Sequence, residues 1–516
     1  MKHSYFFSLA TLLVILLTGC STDSGQNHTF IADTLPEDGG TITPPSGTFD
    51  DGSQVEIRAE PADGFLFERW EGDVTGDENP VTLSFFRDQQ VTAVFTTAPF
   101  AAGGDGSMAN PYRVSTLDDL RAIDDEQYLD KHFIQVSDID ASASAEFQHG
   151  SGFKHIGDQD TPFTGSYDGN GFVIRDLHLH IQRAGGQHTG IFGTIQNAHL
   201  ENITVDNSEQ LLKMPSDQNS AYKTVLEQSD NFLFNNTDLS TVRGIGGLVG
   251  FNDGGVILNC NYTGEVRAHI SGTGSGLVGV NTGIIENSHF EGYTSGGRAA
   301  GLVKLNTGKI INSSADVIAV SMYAYGLVSL NYGEITDSFA HVDISGSRGS
   351  AGLAGTNEGG RIEASYATGV VRGSRISAGL VLHNSGEIIH SYSQVNVDLE
   401  YADYDQFTAA GFVAENLENG IIEYTYAAGT ITATDETADI GAVVKINEGT
   451  IRSTYWDSET SDLEDAVFIG NTGGATGLTT QQMSGSAAET HMPEFDWQTV
   501  WRTTDGYPVL RWQSDW

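Results

Sequence analysis

Small and hydrophobic residues recur in a fixed order along the second half of the chain. Each unit begins with Gly-Leu-Val-x-x-Asn or a close variant, and a second glycine and then an isoleucine follow the asparagine. The asparagines of this pattern are Asn252, Asn281, Asn306, Asn331, Asn357, Asn384, Asn416 and Asn447. They are separated by 29, 25, 25, 26, 27, 32 and 31 residues. A unit of this length is too small to bury its own core, so it has to stack on its neighbours.

Two or three short strands fit into each unit, because glycines and asparagines separate its aliphatic positions. Stacked units of this kind predict an all-β fold, a right-handed parallel β-helix that forms a solenoid of coils of about 25 residues. The isoleucines, from Ile257 to Ile451, point inward. The glycines supply positive φ at the corners, and each asparagine bonds to the asparagine one coil away. We expect roughly a dozen coils.

The stretch GLVGVNTGIIENSHFEG, residues 276–292, resembles the GLUG motif of secreted and surface proteins of bacteria. Adhesin-like chains and the non-catalytic regions of some immunoglobulin A-type peptidases carry this motif. The resemblance implies a β-helix over residues 181–455, after a linker, an N-terminal cap and the first coils at residues 98–180. Residues 456–516 then form a closing segment. The motif is structural, so it implies an architecture and no particular chemistry.

A different pattern precedes the repeats, between residues 30 and 97. Apolar and polar residues alternate there, as from Val91 to Phe95, and glycine-rich turns separate the segments. With AEPADGFLFERW at residues 59–70, their order resembles the divergent internalin-type B repeat, a small all-β module of bacterial surface proteins. In so small a module we expect the aromatic side chains to fill the core rather than to bind sugar, and these are Phe65, Phe67 and Trp70.

The N-terminus has the composition of an export signal. A weakly basic start and an apolar run end in Leu17-Thr18-Gly19-Cys20, which resembles the bacterial lipobox. The resemblance implies that residues 1–19 are a lipoprotein signal peptide, that Cys20 is lipidated and that residues 20–29 are a tether. Ser21 follows the cysteine, which under the sorting rules of Gram-negative bacteria implies a lipid anchor in the cell outer membrane. The membrane is therefore an expected partner, with the folded part facing outward or into the periplasm.

The net charge of the chain limits the classes of ligand that the protein can bind. The 516 residues include 25 Lys and Arg against 68 Asp and Glu, a formal net charge of −43 that repels nucleic acids. We therefore predict that the protein has no nucleic-acid partner.

The catalytic patterns that we sought do not occur in the sequence. None of the 15 histidines lies in a His-Glu-x-x-His zinc motif, and there is no Gly-x-Ser-x-Gly or phosphate-binding loop. Cys260 is the single cysteine besides Cys20, and we interpret it as a structural thiol because it falls in a column of small residues. The column continues with Ser288, Ser313, Ser338, Ser365, Ser391, Thr425 and Thr454. We predict no catalytic residue.

The alternative hypothesis is a carbohydrate-active β-helix enzyme, either a polysaccharide lyase or a glycoside hydrolase. A lyase needs basic side chains to neutralise a uronic acid and to remove a proton. The basic residues of the repeats are few, and we interpret them as scattered and solvated: Lys304, Lys309, Arg348, Arg361, Arg372 and Arg375. A hydrolase needs a pair of carboxylates, and so acidic a chain offers too many to single out one pair.

Three further features leave alternatives open. His178 and His180 would project together from one strand as the start of a metal site, but no further ligand follows at a defined spacing. The acidic segments 396–407, 432–439 and 456–465 are solvated loops or, alternatively, calcium sites; we predict no cofactor, with calcium as the open alternative. One aromatic column either faces outward as a ladder for sugar rings or faces inward as a stack that closes the core, which we favour: Phe339, Tyr366, Tyr392, Tyr426 and Tyr455.

These features together predict a cell-surface lipoprotein that is not an enzyme. It acts as an adhesin or as a scaffold that binds carbohydrate or protein. A stiff solenoid presents side-chain columns and loops at fixed spacing, so several weak contacts can act together. The sequence names no ligand and leaves the oligomeric state open.

Overall fold

A computed structural model describes residues 26–62, 64–179, 188–207, 243–268, 272–373, 375–399, 408–433 and 438–515. The chain divides into two compact units after Ala101. Both are built mainly from β-strands, and the second unit consists of large parallel sheets with few helices. The predicted fold class, an all-β parallel β-helix preceded by a small all-β module, is confirmed.

The N-terminal unit is a seven-stranded module with an aromatic core. Its strands are Asn27–Leu35, Gly40–Thr43, Gly47–Asp50, Gln54–Pro61, Phe65–Gly72, Val81–Ser84 and Gln89–Thr97. Four of them form one sheet and three form another. Trp70 is buried, and Phe65 and Phe67 pack against the same cluster, as expected for core residues. The first strand begins inside the segment that the sequence assigns to the tether.

Short elements lead from Ala102 into the solenoid. They are the strands Tyr112–Val114, His132–Gln135 and Ile139–Asp140, the helices Leu117–Ala122 and Phe147–Gly150, and the 3-10 helix Ser142–Glu146. The first helix has a capping box, because the Thr116 hydroxyl accepts a hydrogen bond from the Asp119 amide and the Asp119 carboxylate accepts one from the Thr116 amide. This cap fixes where the helix begins.

Each full coil of the solenoid contributes strands to three faces, and neighbouring coils pair in parallel register. The first face contains Phe192–Gln196, Val249–Asp253, Val278–Asn281, Val303–Asn306, Val328–Asn331, Ala354–Asn357, Val381–Asn384, Val413–Asn416, Val444–Asn447 and Val467–Gly470. The second face contains Ser166–Asp168, His199–Glu201, Val256–Leu258, Ile284–Glu286, Lys309–Ile311, Glu334–Thr336, Arg361–Glu363, Glu387–Ile389 and the first residues of Ile421–Ala427 and Thr450–Asp457.

The third face carries the longest strands and bends towards the next coil. It contains Val173–Arg175, Thr204–Asp206, Asn261–Arg267, Thr273–Ser275, His289–Ala300, Ser314–Tyr325, Phe339–Ala351, Tyr366–Gly373, Ile376–Ala378, Tyr392–Leu399, Thr408–Ala410, Ile431–Ala433, Asp439–Gly441 and Ala475–Leu478. A strand of this face ends directly before the Gly-Leu pair, and the first-face strand of the next coil begins directly after it.

The repeated aliphatic positions fill the interior. Ile285 pairs with Ile310, and Ile310 pairs with Ile335, and all three side chains are completely buried. Burial of one such side chain contributes about 1.5–3 kcal/mol relative to an exposed one, so the stacked column is a main source of stability.

The repeat asparagines form a continuous hydrogen-bonded ladder inside the first face. The amide nitrogen Nδ2 of each donates to the Oδ1 of the asparagine one coil further on, at 2.7–2.9 Å from Asn252 through to Asn447. Each Nδ2 as far as Asn416 also donates to the carbonyl oxygen of the glycine that follows in its own coil. Both amide protons are therefore used, which offsets the cost of burying a polar side chain.

The glycines behind these asparagines have a different role from the predicted one. Gly308 has no positive φ, and a Cβ there would lie 2.1 Å from the carbonyl oxygen of Gly283 in the preceding coil. Positive φ occurs instead in a second column, with 50° at Asn287 and 46° at Asn312. The expectation that these glycines turn corners through positive φ is therefore wrong. They are required because successive coils approach too closely for any side chain.

The C-terminal segment packs against the last coils. It contains the helices Ser458–Ser461 and Ala487–His491, the strands Trp501–Arg502 and Val509–Leu510, and the 3-10 helix Arg511–Asp515. Its buried side chains Met483, Met492, Phe495, Trp501 and Leu510 form one cluster with aromatic residues of the solenoid.

Candidate functional site

The outer side chains of the third and first faces meet where the chain turns through the Gly-Leu pair. Strand alternation places Arg298, Tyr323 and Ile376 in one outer column, and their backbones pair through Gly349. Tyr325 packs against Leu382 of the first face, with Tyr323 and Ile376 alongside. We call Arg298, Lys304, Tyr323, Tyr325, Ile376 and Leu382 the corner strip.

Two glycines make room for the tyrosine rings of the corner strip. A Cβ at Gly355 would lie 2.6 Å from the ring of Tyr325, and a Cβ at Gly349 would lie 3.0 Å from the ring of Tyr323. Each ring therefore lies across the backbone of the next coil. Tyr325 is only 4% exposed, whereas Tyr323 is partly open to solvent. The strip thus offers one accessible aromatic surface supported by a buried ring.

The corner strip has a basic end. The guanidinium carbon of Arg298 lies 4.9 Å from the ring centroid of Tyr323, within the range of a cation–π contact. Lys304 is largely buried, and its Nζ donates to the carbonyl oxygen of Arg243 at 2.5 Å. Burial lowers the pKa of Lys304 to about 8, with smaller contributions from the charges of Arg298 and Arg243. Burial also raises the pKa of Tyr325 to about 12, so its phenol stays protonated at neutral pH.

Neither cation of the corner strip has a carboxylate partner among the residues that the structure describes. In the described part of the chain no carboxylate oxygen lies within 4.0 Å of Arg298 or Lys304. By contrast, Lys309 of the same coil pairs with Glu334 at 2.8 Å. Acidic residues outnumber basic ones by 68 to 25, yet none of those that the structure describes lies within ion-pair distance of these two neighbouring cations. They leave a local positive potential at one end of the strip.

The basic residues identified from the sequence have separate environments. Lys309, Arg361 and Arg372 form surface ion pairs with Glu334, with Glu363 and Glu387, and with Asp343. Arg375 is exposed. The interpretation of the whole set as solvated is wrong for Lys304, which is largely buried beside the strip, and for Arg348, which is 8% exposed next to a register shift.

The aromatic column lies on the outer side of the third face but is covered. Phe339, Tyr366, Tyr392 and Tyr426 stack with centroids 4.7–5.0 Å apart and ring planes within 3° of parallel. The neighbouring residue Ala340 is completely buried, so the rings point away from the solenoid interior. The C-terminal segment packs over them, and it buries Tyr392, Tyr426 and Tyr455. The prediction of a core role is confirmed for these three residues, but the inward direction is wrong.

Cys260 lies completely buried in the column of small residues. Its backbone amide donates to the Ser288 hydroxyl at 3.1 Å, and its Sγ lies 3.3 Å from the carbonyl oxygen of Leu258. Burial raises the pKa of the thiol to about 12. A thiol that stays protonated and inaccessible is a poor nucleophile, in keeping with a structural role.

The histidine pair and part of the acidic loops cannot be compared with the prediction. His178 is exposed beside a cavity of about 260 Å³ that Tyr262 and Arg267 also line, while His180 lies outside the described residues. The same holds for Cys20, for residues 400–407 and for residues 434–437. Among the residues that the structure describes, no three His, Cys, Asp or Glu side chains form a group that could hold a metal ion. Asp457, within the third acidic segment, caps a helix and accepts hydrogen bonds from Thr480 and Tyr507.

Sequence reasoning missed Arg298, Tyr323 and Tyr325. A sequence signal was present, because Arg298 and Tyr323 lie one repeat apart, at positions that pair in the sheet. Alignment of the repeats on the asparagine alone does not show that the residues before the Gly-Leu pair lie at the same corner of the coil as the residues after it. That relation depends on how sharply the chain turns.

Comparison with known proteins supports the architecture in part. Residues 32–99 match the sequence model of the divergent InlB B-repeat domain, in agreement with the resemblance of the N-terminal module. Halomucin of Haloquadratum walsbyi is 36% identical over 170 residues, which is 31% of this chain and 2% of that protein. A Gly-rich membrane protein of Evansella cellulosilytica is 37% identical over 108 residues, 20% of this chain and 12% of that protein. The chain thus spans a small part of both relatives.

Two solved structures resemble the chain weakly. A Bacteroides ovatus protein described as an immunoglobulin A1 protease has a TM-score of 0.29 at 18% identity, and the match covers 79% of this chain and 94% of that one. A second structure, described as IgA1 protease, has a TM-score of 0.34 at 12% identity and covers 84% of this chain and 29% of that one. Values this low do not bear on activity. No helix in the described ranges is long and apolar enough to cross a membrane.

Proposed function

We propose that the protein is a cell-surface lipoprotein whose β-helix is a non-catalytic binding scaffold, with the corner strip as its binding face. The observation that carries this proposal is the strip itself: a partly accessible Tyr323 ring beside two cations that have no carboxylate partner among the described residues. A positive charge at a partly buried position is costly without a counter-charge, and an anionic ligand would supply one. Adhesion to a glycan or to a protein surface is the activity that this arrangement fits best.

The location rests on three supports. The lipobox-like sequence that ends in Cys20 implies an acylated N-terminus, and the GLUG-like repeats imply a secreted or surface protein. The names of the two relatives, halomucin and a membrane protein, agree with a place at the cell surface. We assign the lipid anchor to the outer membrane, following the serine after Cys20. Several acyl chains would hold the protein firmly, since each buried methylene contributes about 0.8 kcal/mol.

The anchor is tested with the variant Cys20→Ala. We expect the wild-type protein to sediment with outer membranes and to carry radiolabelled acyl chains, and the variant to carry none. Cys260→Ala is the matched control, because it removes the other cysteine and should leave labelling unchanged. A labelled Cys20→Ala variant would refute the anchor.

Binding is tested with Tyr323→Ala on immobilised glycans and host-surface proteins. Loss of the accessible ring should weaken retention roughly fivefold to tenfold on whichever surface binds the wild-type protein. Tyr293→Ala is the control, because Tyr293 also contacts an arginine but lies outside the corner strip. Equal retention of the two variants would contradict the assignment of the binding face.

The second candidate function is a polysaccharide lyase, which one observation favours. With a pKa of about 8, Lys304 has a neutral fraction at neutral pH that can accept a proton. The test is whether the protein shortens a polymer that it binds. Lys304→Arg keeps the positive charge but removes the base, so loss of cleavage in this variant would favour the enzyme over the scaffold.

A further inference from the structure

We propose that the corner strip binds an acidic polysaccharide, with a uronic acid carboxylate at Arg298 and Lys304 and sugar rings along Tyr323 and Ile376. This inference rests on the proposed function, because it names the class of ligand for the same strip.

The charge pattern is the first support for an anion. The net charge of −43 repels polyanions from most of the surface, so an acidic ligand can bind only where cations stand unopposed. Arg298 and Lys304 form such a place. Arg298 and Lys304 lie on the two strands that meet at one corner of the same coil, and the charges of Arg298 and Arg243 add to the effect of burial in lowering the pKa of Lys304. A carboxylate between them would relieve that repulsion and supply the missing counter-charge.

The geometry of Arg298 is the second support. Its guanidinium lies 4.9 Å from the Tyr323 ring centroid, and this contact orients a planar group with several donors. A guanidinium binds a carboxylate through two parallel hydrogen bonds, so it favours a uronic acid over a neutral sugar. A neutral sugar would supply no counter-charge to either cation.

The apolar part of the corner strip is the third support, and it indicates a polymer rather than a small anion. From Arg298 the outer column continues through Tyr323 and Gly349 to Ile376, which is three coil steps or about 14 Å. Leu382 and Tyr325 line the side of this column. A free acetate would use only the basic end, whereas a chain of sugar rings would also cover the aromatic and aliphatic surface.

The test uses the full-length protein and two forms of one polymer, with the carboxyl groups either ionised or blocked as neutral methyl esters. Polygalacturonate and its methyl-esterified form are compared by calorimetry in the presence of a chelator, which prevents calcium from bridging acidic groups. We expect polygalacturonate to bind and the ester to bind at least about tenfold more weakly. Polymannuronate and hyaluronan extend the test to other uronic acids. Failure of all three acidic polymers to bind would overturn the inference.

Matched variants assign the binding to the strip. Arg298→Gln and Lys304→Met should each weaken binding roughly tenfold, and Lys309→Gln should not, because Lys309 is already paired with Glu334. Arg298→Lys keeps the charge and should retain part of the affinity, which separates a binding defect from misfolding. Melting temperatures of all variants check the fold.

The remaining outcomes separate this inference from the proposed function. If both polymer forms bind equally and both are lost in Tyr323→Ala, the strip binds neutral sugar, and only the acidic class is overturned. If binding survives both Tyr323→Ala and Arg298→Gln, the strip is not the binding face, and both proposals fail.

Discussion

Substitution of Gly326 by alanine should destabilise the β-helix by roughly 3 kcal/mol or more and lower its folded yield. A Cβ at this position would lie 1.8 Å from the carbonyl oxygen of Gly352 and 2.6 Å from Cγ1 of Val342. The carbonyl belongs to the backbone of the next coil, so no side-chain rotation can relieve the clash. The two coils would have to separate, and the hydrogen bonds between them would lengthen on both sides of the corner.

Urea denaturation followed by circular dichroism measures this effect. Gly506→Ala is the control, because Gly506 also has no positive φ and its nearest neighbouring heavy atom would be 3.8 Å from the new Cβ. The control should unfold within about 1 kcal/mol of the wild-type protein. Equal midpoints for the two variants would show that the coils can separate at little cost.

The second large effect is expected for Asn306→Asp, which should cost about 3–5 kcal/mol at neutral pH. Asn306 is completely buried, and its Nδ2 donates to the Oδ1 of Asn331 at 2.8 Å and to two backbone carbonyls at 3.3 Å. An aspartate would place a charged oxygen against these three acceptors. The ladder would be interrupted in the middle.

The effect of Asn306→Asp should depend on pH in a defined direction. Burial without a positive partner raises the pKa of the new carboxyl group in the folded state above its unfolded value of about 3.9. The variant is therefore least impaired when the group is protonated in both states, and it loses stability as pH rises through the folded pKa. Unfolding free energies at about pH 4.5 and pH 7.5, each relative to wild type, should differ by more than 1 kcal/mol.

The matched control for this substitution is Asn261→Asp on the exposed side of the third face. Its carboxylate would be solvated, so its stability relative to wild type should be nearly independent of pH. A pH-independent penalty for Asn306→Asp would mean that water or a counter-ion reaches the ladder.

The repeat could be recognised in the sequence because its period is short and its positions are chemically distinct. Asparagine, glycine and isoleucine recur at fixed offsets, and stacking is the only way for units of this size to bury Ile310 and its equivalents. The N-terminal module was readable for a different reason. Its alternating strands and Trp70 are characteristic of one small domain, whose sequence model matches residues 32–99.

The role of each glycine was less accessible to sequence reasoning. Some positions require glycine because φ is positive, and others require it because neighbouring atoms leave no room for a Cβ. The sequence shows the same residue in both cases. At Gly308 the two explanations are separated by the distance from a Cβ placed on this residue to the carbonyl oxygen of Gly283. In this fold the left-handed residues of the repeat lie one corner further along the coil, and they include Asn312 but also Asp337 and Ala364.

The candidate site depended on tertiary structure throughout. The tyrosines of the aromatic column were the stronger sugar-binding candidates in the sequence, yet the C-terminal segment covers Tyr392 and Tyr426 with residues more than 70 positions away, such as Trp501. Which outer surface stays open is decided by where a distant segment packs, and no local pattern records that.

The sequence by itself determined the architecture of this protein: the repeat, its inward isoleucines and its stacked asparagines follow from a period that leaves no other way to bury apolar surface. The tertiary structure decided where binding can occur. Charge pairing is a matter of distances of a few ångströms, so only the folded chain reveals that Lys309 meets a glutamate while Arg298 and Lys304 meet no carboxylate among the described residues.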